Sequence, residues 1–292
     1  MSIPRRWNNQ LKTIFLLGAL STLVVGIGGA LAPGQLALFV GLALAMNVGA
    51  YFFSDRIVLR VHGAREVSAA EAPRLHALVD DLVGRAGMPK PRVAIIQSGQ
   101  PNAFATGRSP RHGVVAVTTG ILDLLSPREL RGVLAHELAH IANRDTLVAT
   151  IAAAAASAVT YVAHAMGFGA IAPGGDEEEN GASPLALVAA AVVAPLAATL
   201  VQLSISRARE LAADHDGARI AGDPLALASA LAKLDAAAHA MPAEAEPATA
   251  SLFIVNPLAG GTGIARWFST HPATEERIRR LERLAGGERR VA

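Results

Sequence analysis

Two histidines and a glutamate fall within five residues of one another at His136, Glu137 and His140, inside the stretch SPRELRGVLAHELAH. On a helix about 100° separates successive residues, so the two imidazoles stand about 40° apart and Glu137 lies in the same wedge. Three such groups aimed at one point can do metal chemistry: the imidazoles hold a zinc ion, and the carboxylate between them takes the proton of a metal-activated water. A His-Glu-x-x-His string also arises by chance, so the motif calls for a third ligand.

The helix that would carry it is well marked. Ser126 and Glu129 have the spacing of a capping box, and Pro127 suits the first helical position. The chain contains no cysteine, so a metal here must use His, Asp or Glu. Residues 207–216 (RARELAADHD) supply candidates. Glu210 and Asp214 are four apart and share a helix face, so Glu210 can be the third ligand, leaving the fourth position for water. Asp214, one turn on, can accept the free ring N–H of a ligand histidine. Taken alone, this segment reads as a solvated ion-pair face with Arg207 and Arg209, and it becomes a ligand source only beside the first motif.

These residues sit in an unusually apolar chain. Of 292 residues 52% are hydrophobic and only 17% charged, with a mean hydropathy of +0.37, which predicts a membrane protein. Uncharged runs cover residues 13–32, 35–54, 147–172 and 183–206, which reads as two hairpins around the metal helix. Arginines flank both hairpins, while the turns are neutral at Pro33-Gly34 and acidic at residues 176–179, so the positive-inside bias puts the soluble segments in the cytoplasm. A cleaved signal peptide is the alternative for the first run, and a soluble Ala-rich hairpin for the last two. The pI of 9.4 does not signal nucleic acid, because the basic residues are scattered among acidic ones and aromatics make up only 4%.

Between the hairpins, Ser68 and Glu71 predict a capped amphipathic helix ending near Gly87, and residues 92–97 and 113–118 read as strands. Residues 101–107 suit a short edge strand, which beside a metal site can pair with an extended peptide, or else is sheet filler. Asp223-Pro224 starts a further helix, and a last one starts from Ser269 with Ile278, Leu281 and Leu284 as its buried stripe. His271, at that start, could stabilise an oxyanion or merely cap the helix.

Together, HELAHIANRD at His136–Asp145, SRARELAAD at Ser206–Asp214, NAFA at Asn102–Ala105 and STHP at Ser269–Pro272 resemble the HtpX-type membrane zinc metalloproteases, relatives of the CAAX prenyl endopeptidases. The resemblance covers nearly the whole chain. It implies an α+β, mainly helical integral membrane protein with a cytoplasmic zincin-like (gluzincin) catalytic domain and a small sheet. The expected order is a hairpin over residues 1–55, the first half of the protease over 56–146, a second hairpin over 147–206, and the second half over 207–292. One Zn2+ per chain would be bound by His136, His140 and Glu210, with Glu137 as catalytic base. An edge strand at Asn102, Ala103 and Phe104 would hold the substrate. The implied setting is the bacterial inner membrane, multi-pass with both termini cytoplasmic, where the protease serves quality control or stress response. Its partners would be protein or peptide substrates, chiefly membrane proteins, and the bilayer, with no nucleic acid and no organic cofactor. The competing readings are a membrane scaffold or receptor with a structural zinc, and a transporter, whose charges would be expected at depth rather than at helix ends.

Overall fold

The computed structural model describes residues 33–151, 207–240, 254 and 272–287, with scattered positions between 13 and 29. The expected fourth span, most of the third, and His271 lie outside the described residues.

A 3-10 turn at Pro33–Gln35 leads into α1 (Leu36–Val61), 26 residues long, or about 39 Å at 1.5 Å per residue. Its most apolar window has a mean hydropathy of 2.0 and is only 6% buried, so among the described residues it is the one helix long and apolar enough to cross a bilayer. Asn47 Nδ2 donates to Ser21 Oγ at 2.7 Å, which sets part of the first apolar run beside it. The helix does not stop at Ser54, as the uncharged run predicts, but continues to Val61 and buries Ser54, Asp55, Val58 and Leu59. Those last turns pack on a sheet.

Four strands form that sheet: β1 (Ala64–Glu66), β2 (Arg92–Ile96), β3 (Ala103–Thr106) and β4 (Val114–Thr118), in the order β1-β2-β4-β3. β2 and β4 run parallel, and β1 and β3 pair antiparallel on either side, so β3 is an edge strand. All five residues of β4 are buried because the sheet is covered on both faces. Phe104, Ala94 and Ala116 face Val58 and Leu59 of α1, while Ala103, Ala105, Val115 and Val117 face the main core.

The helix between β1 and β2, α2 (Pro73–Ala86), starts later than predicted. Ser68 and Glu71 do make the reciprocal bonds of a capping box, but these close an isolated turn. Pro73 pushes Ala72 into a non-helical conformation (φ −133°), so the helix restarts only at the proline. It ends at Gly87 in the left-handed conformation, as expected.

A short α3 (Thr119–Leu124) precedes the central helix α4 (Pro127–Ala142), whose Ser126–Glu129 capping box is fully formed. Glu129 also accepts from Ser229 Oγ at 2.6 Å and Lys233 Nζ at 2.8 Å, tying the start of α4 to α6 (Pro224–Ala240). α4 is buried on almost every side, against α2, the sheet, α5 (Arg207–Ala221) and α6. Two glycines allow this closeness. A Cβ on Gly132 would stand 2.7 Å from Leu227 N, and one on Gly217 of α5 would stand 2.8 Å from His136 Cα. The last helix, α7 (Thr274–Ala285), begins five residues beyond the predicted start, because Pro272 and Ala273 are not helical. Leu281 is buried in the core with Ile278 and Leu284 packed against it.

Candidate metal centre

Residues 136 and 140 lie on the face of α4 turned toward α5, and α5 returns Glu210 to the same point. His136 Nε2 and His140 Nε2 are 3.2 Å apart, and the Glu210 carboxylate oxygens stand 3.7 Å and 3.6 Å from them. One donor atom from each of the three lies within 4.8 Å of the others. A tetrahedral zinc with bonds of about 2.0–2.2 Å needs donors spaced roughly 3.3–3.5 Å apart, so two imidazoles and a carboxylate fit that ion in type and spacing.

The two histidines have different supports. His136 is 1% exposed, and its Nδ1 stands 3.0 Å from Asp214 Oδ1. Asp214 is itself gripped by Arg277 of α7, with bonds of 2.9 Å from Nε and 2.8 Å from Nη2. Burial favours the neutral carboxyl, but the Arg277 charge and bonds outweigh it and hold Asp214 well below the usual carboxylate range. Burial likewise pushes the His136 imidazole below its ordinary value. His140 is more open, and its Nδ1 meets Asp145 Oδ2 at 3.3 Å. Burial would lower it too, yet the charge of Glu210, the Asp145 contact and Glu137 together raise it to about 9.

Glu137 is 5% exposed, and burial lifts its carboxyl to about 7, against a counter-pull from His140. The main-chain N–H of Ala105, on the outer edge of β3, also bonds to it. Of the strand residues expected to hold substrate, Ala103 faces the metal helix, whereas Phe104 points to α1 with its ring 5.2 Å from that of His62. Asn102 is 3% exposed, and its Oδ1 accepts from Ile254 N at 3.3 Å.

Arg277 and Asp145 went unassigned in the sequence. Asp145 follows Arg144, whose φ of 59° turns the chain back so that the carboxylate returns to His140, five residues before it. Arg277 also donates from Nη1 to Ile254 O at 2.8 Å, so a buried polar chain runs from His136 through Asp214, Arg277 and Ile254 to Asn102.

The sequence profile of Peptidase family M48 matches residues 69–285. Protease HtpX homologs of Ralstonia nicotianae and of Burkholderia mallei are 52% and 50% identical, each over 95% of this chain and 97% of their own length. The solved structure of S. mikatae Ste24p aligns with a TM-score of 0.48 at 17% identity, covering 96% of this chain and 67% of its own.

Proposed function

Since the chain belongs to peptidase family M48 and is a metalloprotease, we propose that it hydrolyses peptide bonds through one Zn2+ held by His136, His140 and Glu210. The convergence of these three groups from two helices, with Glu137 between the histidines, carries the reading. When bound there, zinc supplies Lewis acidity that polarises the scissile carbonyl and acidifies a water. Glu137 removes the water proton on its carboxylate and delivers it to the leaving amine, a task suited to a carboxyl poised near neutrality. Asp214 and Asp145 fix the ring orientations of His136 and His140. The outer edge of β3, whose Ala105 N–H meets Glu137, pairs with the substrate main chain. His271 stabilises the oxyanion. The scaffold reading is not favoured, because the family is one of peptidases.

In this reading the protein is an inner-membrane enzyme of quality control or stress response, with hairpins at residues 1–55 and 147–206 and the two halves of the protease at 56–146 and 207–292 in the cytoplasm. The length and exposure of α1 support the first hairpin. Replacing Glu137 by Ala should preserve zinc stoichiometry and reduce cleavage of a casein-type substrate by at least about a hundredfold. Replacing His136, His140 or Glu210 should lower zinc affinity itself. Full proteolysis by zinc-loaded Glu137→Ala protein would remove the catalytic assignment. Because the chain has no cysteine, Glu178→Cys and Arg65→Cys can be labelled singly, and labelling of both from the same side of the membrane would overturn the topology.

A further inference from the structure

A second concave site lies where α1 meets the sheet. It is a hollow of about 290 Å³ lined by Phe52 and Arg56 of α1, Lys90 and Arg92 at the start of β2, and Arg108 and Arg111 of the loop between β3 and β4. Two of these cations are already neutralised: Lys90 pairs with Asp80 at 2.8 Å, and Arg92 pairs with Asp55 at 2.7 Å and with Glu66. Arg56, Arg108 and Arg111 make no ion pair among the described residues, and the one carboxylate that lines the hollow, Asp55, is already taken by Arg92, so three positive charges there are left unbalanced. Such convergence costs electrostatic energy unless something negative fills the hollow.

The loop that carries two of the three is pinned. Gly107 has φ 118° and lies so near His112 that a Cβ would come 2.2 Å from its carbonyl oxygen, and Thr146 Oγ1 donates to Gly107 O at 2.8 Å. Arg108 is fixed further by lying 5.4 Å above the Phe52 ring and donating to Phe52 O at 3.4 Å. Arg108 is therefore set in place before any ligand arrives.

The height of the hollow identifies its occupant. It opens beside Tyr51, Phe52 and Phe53, which are 37%, 47% and 48% exposed and stand at the end of the apolar surface of α1. Aromatic residues followed by arginines mark the headgroup level of a bilayer. A ligand there has an anionic head among the arginines and an apolar tail along Leu38, Leu44 and Val48, all more than half exposed.

We propose that this hollow binds the phosphate headgroup of an anionic phospholipid, with its acyl chains along α1. The proposal rests on the membrane placement of α1 given above, and it adds a lipid site on the face of the sheet away from the metal centre. Arginine suits phosphate because its planar donors can engage two oxygens at once.

The test uses the full chain purified in mild detergent and exchanged into nanodiscs of phosphatidylcholine with graded phosphatidylglycerol, the retained lipid being counted by native mass spectrometry. Phosphatidylglycerol should be retained over phosphatidylcholine, and Arg108→Gln/Arg111→Gln should reduce that preference about tenfold or more. Arg56→Gln, on a different element, should reduce it in the same direction, and both variants should keep proteolytic activity. Arg279→Gln/Arg283→Gln, exposed on α7, should leave it unchanged. Equal retention of the two lipids, an equal loss in the α7 variant, or full displacement by millimolar inorganic phosphate would overturn the lipid assignment. Failure to enter either nanodisc would instead overturn the membrane placement, and the proposal with it.

Discussion

His136 and His140 are one helical turn apart and aim at the same point, yet the regions behind them are built on opposite plans. Behind His136 lies a dry, closed ion cluster: Asp214 is neutralised by Arg277, and neither is more than 3% exposed. Behind His140 lies Asp145, on a turn that leads out of α4, and the ring is 15% exposed. The first region fixes a ligand by burying charge that is already balanced. The second leaves the ring more open, and the charge of Glu210 in front of it, with Asp145 behind, pushes the imidazole up to about 9 in the protein alone. His140 would have to give up its proton to hold a metal, whereas burial already favours the neutral form of His136.

The difference breaks most strongly at Arg277. Arg277→Met leaves Asp214 buried without its cation and should cost about 3–5 kcal/mol, read as a fall in the denaturant midpoint. Next in size, Asp214→Asn should weaken zinc binding about 10–100-fold in a chelator competition. Asp145→Asn should sit at the low end of that range, about tenfold, because its contact with His140 is the longer one, 3.3 Å against 3.0 Å for Asp214 and His136. Equal losses in the two variants would erase the distinction drawn here.

A further expected effect is one of pH. A folded-state pKa of about 9 for His140, above its ordinary 6.5, gives stability that is fully present below about pH 6.5 and lost as the pH rises through 9. Glu137, raised to about 7, adds a loss in the same direction between about pH 4.5 and 7. Metal-free protein should therefore lose thermal stability between pH 7 and 9. Zinc-loaded protein, in which the ion takes the place of the proton, should show a flatter profile in the same scan.

Much of this arrangement was legible in the sequence because it is written in local spacing. The capping box of α4, the pair of histidines four apart, and Glu210 and Asp214 four apart are all statements about one helix. The short strand expected within residues 101–107 is found at Ala103–Thr106. Contacts made across the fold were not. Arg277 sits among several arginines of α7, and only its register marks it: it stands four residues before Leu281 and seven before Leu284, a single cation on an apolar stripe. The Ser68 box misplaced its helix because the effect of Pro73 on Ala72 overrode a correct pairing of side chains. Asp145 required knowing that Arg144 would adopt a left-handed conformation, which spacing does not announce.

Gly217 sets a tolerance for the whole centre. Its missing methyl would lie 2.8 Å from the backbone of His136, where ordinary contact begins near 3.4 Å, so an alanine would wedge the third-ligand helix outward by roughly half an ångström or more. Metal–ligand distances hold to within about 0.2 Å. One hydrogen atom thus acts as the gauge between two helices, and the calibre of the ion site is machined at a position that touches no ion.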